Sequence, residues 1–168
     1  SGGGKSGASV LRVATSSANP STITLDYCDV HHNGTGGAAQ YAVSFTGATA
    51  PVSYAMQNMV VRDNNAVGIF VSSYVNMDLT HISVLRNTKS GVQTGSNGVI
   101  KLYNSIIAWN QIGFTSGGTA NTSLANAVLW YAYTQKIAGS TVDTLNNLEA
   151  SDLVMAWDGY HLSRYATQ

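Results

Sequence analysis

Asp63 and Arg86 are an acid and a base in the middle of the chain, and their spacing recurs along the sequence. Brought together, a carboxylate and a guanidinium could act in proton transfer or hydrogen-bond the hydroxyl groups of a sugar. Trp109 and Tyr131 follow at nearly the same interval, and both rings suit the apolar face of a sugar. His32 precedes Asp63 at a somewhat longer interval. Side chains that could take part in catalysis or ligand binding therefore recur at nearly regular positions.

Carboxylates are too sparse for an obvious catalytic centre. Glycoside hydrolases need two or three acids close together, and sugar lyases need a carboxylate cluster with a basic residue. The chain has eight acids, and none forms a DD or DxD phrase: Asp26, Asp29, Asp63, Asp78, Asp143, Glu149, Asp152 and Asp158. The recurring side chains are therefore predicted to form a charge-compensated ladder or a glycan-contact strip. A polysaccharide-active enzyme using Asp63 and Arg86 is the alternative.

Composition argues against several classes of partner. Charged residues make up 10% of the chain and its formal net charge is zero, so no strong field attracts nucleic acid or an anionic membrane. No apolar run approaches the roughly 18 residues that a membrane span requires. His31 and His32 lack further nearby ligands, and Cys28 is predicted to be a core thiol. We therefore expect no metal, cofactor, nucleic acid or membrane span.

A repeat links the candidate residues to the fold. The asparagines that close each phrase recur at one longer interval and then two equal shorter ones: Asn33, Asn64, Asn87 and Asn110. Fixed columns precede them: Leu25, Met56, Leu79, Leu102; Cys28, Met59, Ile82, Ser105; and Val30, Val61, Val84, Ile107. A period in the twenties is typical of leucine-rich repeats or parallel β-helices. The absence of a helical period favours β-helices.

Short strands are predicted wherever apolar residues are spaced along a phrase, as in TITLDYCDV and NMDLTHISV. Stacking the phrases pairs each strand with its copies about 4.8 Å above and below, so like residues form columns. Asparagine suits a corner of such a stack because it tolerates left-handed backbone and its amide can bond along the column. The Asn33, Asn64, Asn87 and Asn110 column is therefore predicted to be structural.

The phrase LYNSIIAWNQIGF, residues 102–114, resembles the repeat of right-handed parallel β-helix proteins, roughly I-x-N-S-I-I-x-x-N-x-x-x-G-I. The resemblance covers about residues 10–138. The tail SDLVMAWDGYHLSRYATQ is similar to the end phrase of many secreted members, although Leu153 and Arg164 stand where that phrase usually has proline. This resemblance implies an extracellular or surface-attached protein.

These patterns predict one all-β domain, a right-handed parallel β-helix solenoid over residues 1–168. Five or six rungs with a period of roughly 23 residues would occupy residues 8–138. An irregular C-terminal cap would follow over residues 139–168, and the chain is expected to be a piece of a longer protein or a self-stacking subunit.

The predicted function is a non-catalytic extracellular scaffold that binds glycan or a protein partner, or self-assembles as a structural or adhesive element. The alternative is a lyase, hydrolase or epimerase domain. The candidate ligand-binding residues are His32, Asp63, Arg86, Trp109 and Tyr131.

Overall fold

A computed structural model of the chain describes residues 8–14, 23–33, 39–47, 51–117, 121–125, 128–130, 135–138 and 142–145. Every regular element within these residues is a β-strand. The strands are β1 (Ala8–Ala14), β2 (Ile23–Asp26), β3 (Asp29–His31), β4 (Ala39–Thr46), β5 (Val52–Gln57), β6 (Val60–Arg62), β7 (Val67–Val71), β8 (Val75–Thr80), β9 (Ser83–Leu85), β10 (Ser90–Thr94), β11 (Val99–Tyr103), β12 (Ile106–Ala108), β13 (Ile112–Thr115), β14 (Asn121–Ala125), β15 (Val128–Trp130), β16 (Gln135–Ala138) and β17 (Val142–Leu145).

The strands build three parallel sheets that are stacked as a solenoid. Sheet 1 has the order β2-β5-β8-β11-β14-β17, sheet 2 the order β3-β6-β9-β12-β15, and sheet 3 the order β1-β4-β7-β10-β13-β16. Each turn passes through sheet 1, then sheet 2, then sheet 3, and each strand from β1 to β14 pairs in parallel with its copy in the next turn. The predicted class, an all-β parallel β-helix, is confirmed.

The uninterrupted segment, residues 51–117, comprises about three turns, fewer than the five or six predicted, and separate strands extend the sheets on both sides. Its register follows the repeat, since Val61 pairs with Val84 and Val84 with Ile107. The predicted cap, residues 139–168, lies outside the described residues except for β17.

The core fills the interior of the solenoid. In β5 the buried residues Val52, Tyr54 and Met56 alternate with outward-facing neighbours, as the period of two along a strand requires. Each fully buried side chain of this size contributes roughly 1.5–3 kcal/mol relative to exposure. Cys28 departs from its predicted core position and is exposed. Cys28 is the first residue of its column, and among the described residues only Met59, one turn later, neighbours it in that column.

Two corners recur in four described turns, and each passes through a residue with left-handed backbone. The first corner joins sheet 1 to sheet 2, and the second joins sheet 2 to sheet 3. The φ angles lie between 50° and 56° at Tyr27, Asn58, His81 and Asn104 of the first corner and at His32, Asp63, Arg86 and Trp109 of the second. From the sequence, the left-handed residue of the second corner was predicted to be the asparagine. The structure places it one residue earlier, and this turn directs the asparagine inwards.

Glycines in sheet 3 make room for the asparagine column. A Cβ on Gly68 would lie 2.5 Å from the carbonyl oxygen of Gly91 and 3.0 Å from Asn87 Nδ2. A Cβ on Gly91 would lie 2.7 Å from Asn110 Nδ2. The close approach of sheet 3 to the asparagines therefore requires glycine at these two positions.

Candidate ligand-contact site at the second corner

The strip of candidate binding residues forms one column along the outside of the second corner. His32, Asp63, Arg86 and Trp109 directly follow β3, β6, β9 and β12 and occupy equivalent positions in four successive turns. The fifth candidate, Tyr131, lies outside the described residues. The structure thus brings four of the five predicted side chains into one line.

The left-handed backbone of the strip residues raises the conformational free energy of the folded chain. That conformation destabilises a residue other than glycine by roughly 1–2 kcal/mol, least for asparagine, aspartate and histidine, which adopt it more often than other residues do. Arg86 and Trp109 have φ angles of 51° and 56°. Such residues persist where the surrounding structure holds them, and they concentrate at functional sites.

The second corner is held from inside by a ladder of asparagine amides. The Oδ1 atom of Asn87 accepts hydrogen bonds from the backbone nitrogen of Asn64 at 3.2 Å and from its Nδ2 at 2.9 Å. The Oδ1 atom of Asn110 accepts the same pair from Asn87, at 2.9 and 3.0 Å. Asn33 donates in the same way to Asn64 Oδ1. One amide therefore satisfies two donors of the preceding turn.

The amide nitrogens of the ladder also bond to the backbone of the preceding turn. Asn64 Nδ2 donates to the carbonyl of Val30 at 3.1 Å, and Asn87 Nδ2 donates to that of Val61 at 3.2 Å. Asn64 and Asn110 are completely buried. Because buried hydrogen-bonding groups are costly to leave unpaired, this network fixes the corner more firmly than apolar packing alone.

Outside the ladder, an ion network crosses three turns. Arg86 donates to both oxygens of Asp63, from Nε at 2.6 Å and from Nη2 at 3.1 Å. Arg62 donates from Nη1 to Asp63 at 3.0 Å and from Nη2 to Asp29 at 2.9 Å. The hydrogen bond from Arg86 is the main cause that lowers the pKa of Asp63, with burial opposing it and Arg62 assisting.

This network limits what Asp63 can do chemically. A general acid must hold a proton near the working pH, whereas the lowered pKa keeps Asp63 ionised. Both of its oxygens already accept hydrogen bonds from guanidinium groups. Arg62 and Asp29 were not among the predicted site residues. The signal available in the sequence was the Arg62–Asp63 dipeptide, which places a second cation beside the predicted pair.

In its first turn the strip residue His32 contacts the preceding residue, His31. His31 and His32 lie with their Nδ1 atoms 2.7 Å apart and their rings nearly perpendicular, and both are exposed. One ring must donate and the other accept in that hydrogen bond. Among the described residues, no group of three or more His, Cys, Asp or Glu side chains is arranged to hold a metal ion.

One further pair of opposite charges lies in register between neighbouring turns. Asp78 and Lys101 lie opposite each other in sheet 1, and both are exposed. The structure records no ion pair between them. The ion pairs of the described residues therefore lie at sheet 2 and the second corner.

Comparison with known proteins gives no match to this chain among family models, curated proteins or solved structures. Within the described residues, no helix is long and apolar enough to cross a membrane. The arrangement at the second corner is therefore the basis for a functional conclusion.

Proposed function

We propose that this protein is a non-catalytic β-helix scaffold of the cell surface or extracellular space that binds a neutral glycan along the second-corner strip. The observation that carries the proposal is the display of His32, Asp63, Arg86 and Trp109 on left-handed backbone. Glycine or asparagine would satisfy that backbone at lower cost. The first corner carries Tyr27 and His81 on the same backbone, and the second corner differs in bringing an ion network and a tryptophan into one line.

A binding role suits the strip better than a catalytic one. Asp63 is ionised and held by Arg62 and Arg86, so it is poorly placed to donate or abstract a proton. Asp29, the other carboxylate of the network, also binds Arg62. Both acids therefore have guanidinium partners and serve as fixed hydrogen-bonding groups.

Charge balance favours a neutral ligand. The network contains two carboxylates, Asp29 and Asp63, and two guanidiniums, Arg62 and Arg86. Because the charges compensate within the network, neither an acidic nor a basic polymer gains much electrostatic energy. Partly exposed polar groups of the network and the partly exposed ring of Trp109 can still meet the hydroxyl groups and apolar faces of a sugar.

Preorganisation supports the same conclusion. The side chains of the strip project from a corner whose next residue is locked in the asparagine ladder. A ligand that meets fixed side chains loses less conformational entropy on binding. A repeat of one turn also presents side chains at intervals of about 4.8 Å, close to the length of a sugar ring.

Retention on immobilised cellulose, chitin, xylan and mannan, with alginate as an acidic control, tests the proposal. We expect retention on at least one neutral polymer and at least a tenfold loss with Trp109→Ala. The matched control is Tyr74→Ala, which removes an exposed aromatic side chain from left-handed backbone outside the strip. Equal retention of both variants, or retention on alginate alone, would contradict the proposal.

A further inference from the structure

The outer face of sheet 2 carries two residues that are as deeply buried as the core. Leu85 ends β9, and Ala108 is its register partner in β12. Because side chains alternate along a strand and Val84 packs in the core, Leu85 points out of the solenoid. Leu85 and Ala108 are nevertheless 0% and 1% exposed, and neither belongs to the core cluster. Arg62, one turn earlier in the same column, has a side chain that is only 13% exposed. The outer column of Arg62, Leu85 and Ala108 is therefore covered.

Sheet 1 shows how an uncovered outer position behaves in the same turns. Its outward-facing residues Asn76 and Asp78 of β8 and Lys101 of β11 are all exposed. Neighbouring turns alone therefore do not bury the outward-facing side chains of this solenoid. Every described strand belongs to one of the three sheets, and the described residues between strands join consecutive strands of the coil. The cover over sheet 2 therefore comes from residues of this chain outside the described ranges.

Length and composition separate the segments that could supply this cover. Outside the described ranges, large apolar or aromatic side chains occur only in residues 131–134 and 146–168. Residues 131–134 connect β15 to β16, two turns beyond Leu85 and three beyond Arg62, or roughly 10 and 14 Å along the solenoid. A four-residue connection between two strands is too short to reach that far as well.

Residues 146–168 have both the reach and the side chains. They follow β17, which lies in sheet 1 three turns beyond β8, the strand that shares a turn with Leu85. The distance back to Leu85 is therefore roughly 14 Å, and the distance to Arg62 is roughly 19 Å. Because an extended residue advances about 3.3 Å, about six residues span the longer distance, far fewer than the segment contains. Its large apolar residues are Leu148, Leu153, Val154, Met155, Trp157 and Leu162.

We infer that residues 146–168 pack back along the outer face of sheet 2, over the column of Arg62, Leu85 and Ala108, instead of closing the end of the solenoid. The apolar residues of the segment bury Leu85 and Ala108. Each residue of the covered column directly precedes a residue of the second-corner strip. The segment therefore also borders the strip on its sheet 2 side. This packing is independent of glycan binding.

Photocrosslinking of the full chain tests which segment lies over sheet 2. The photoreactive residue p-benzoylphenylalanine replaces Ile106, which is partly exposed and lies two residues before Ala108 in β12. The matched control carries the same residue in place of the exposed Asp78 of sheet 1. We expect mass spectrometry to locate the cross-link from position 106 within residues 146–168, and the control to give no cross-link there. A cross-link from position 106 only to other segments, or none at all, would overturn the inference.

Thiol labelling measures the cover itself. In a Cys28→Ser background, we expect Leu85→Cys to react with a maleimide at least tenfold more slowly than Asp78→Cys, because labelling requires local opening. Replacing Leu153 and Trp157 together by serine should raise the labelling rate of the Leu85→Cys variant at least tenfold, with folding checked by circular dichroism. Tyr133→Ser, in the other candidate segment, should leave the rate unchanged. Equal labelling of the Leu85→Cys and Asp78→Cys variants, or acceleration by Tyr133→Ser alone, would contradict the inference.

Discussion

The two corners of the solenoid share a backbone conformation but are held in different ways. Both pass through a left-handed residue in each of four turns. At the first corner the next residue differs from turn to turn. It is the exposed Cys28, then Met59 and Ile82, which pack in the core, and then Ser105, whose Oγ accepts one bond from the backbone of Ile82. At the second corner, the next residue is always an asparagine in the amide ladder.

The difference concerns which side chains each corner can carry. The first corner uses asparagine in two of its four left-handed positions, Asn58 and Asn104, as backbone preference favours. The second corner uses none and instead carries a histidine, an aspartate, an arginine and a tryptophan. The other two first-corner residues, Tyr27 and His81, have the same backbone without such a ladder. The ladder therefore adds hydrogen bonds that hold the backbone of the second corner but is not required for a left-handed residue other than asparagine.

The largest expected effect is on the ladder. Asn87→Ala removes an acceptor of two hydrogen bonds and a donor of two more, all buried. Since each buried group left unpaired costs roughly 1–3 kcal/mol, we expect a loss of about 4 kcal/mol. At the first corner, Ser105→Ala removes one acceptor for the backbone of Ile82 and one donor to the carbonyl of Tyr103, and it should cost about 1–2 kcal/mol.

Urea unfolding of the two variants and the wild type, followed by far-ultraviolet circular dichroism, gives the two free energies. The ladder account requires the asparagine substitution to be the more damaging by a clear margin. Similar losses would mean that the second corner is held mainly by the packing that both corners share.

A smaller effect is expected from the ion network on the second corner. Arg86 and Arg62 lower the pKa of Asp63 in the folded protein. The network therefore stabilises the fold above the unfolded pKa of about 3.9, and this contribution is lost as the pH falls through the lower folded pKa. We expect a contribution of about 1 kcal/mol at neutral pH, as for other partly exposed ion pairs.

Urea unfolding at pH values from 7 down to 2 tests this contribution. Asp63→Asn should reduce the loss of stability with acid, and Arg86→Gln should reduce it partly because Arg62 remains. An acid-induced loss in Asp63→Asn as steep as in the wild type would show that other carboxylates account for it.

The sequence predicted the columns of the fold because stacking forces each turn to match its neighbours. The equal spacing of Asp63, Arg86 and Trp109 was sufficient to align them, and the structure places them in equivalent positions. Arg62 was missed because its contact with Asp29 joins the two turns that the longer interval separates, and because it depends on side-chain conformation. The exposure of Cys28 was missed because a column pattern describes an interior turn and does not describe the end of a stack.

The most direct test of the account is to measure binding and bond cleavage in the same sample. The protein would be titrated calorimetrically with the hexasaccharides of cellulose, chitin, xylan and mannan, and each sample would then be examined by mass spectrometry. We expect saturable binding of at least one hexasaccharide, weakened by Trp109→Ala, with the oligosaccharide recovered intact. Shortened or unsaturated products that disappear with Asp63→Asn would contradict it and assign the second corner to catalysis.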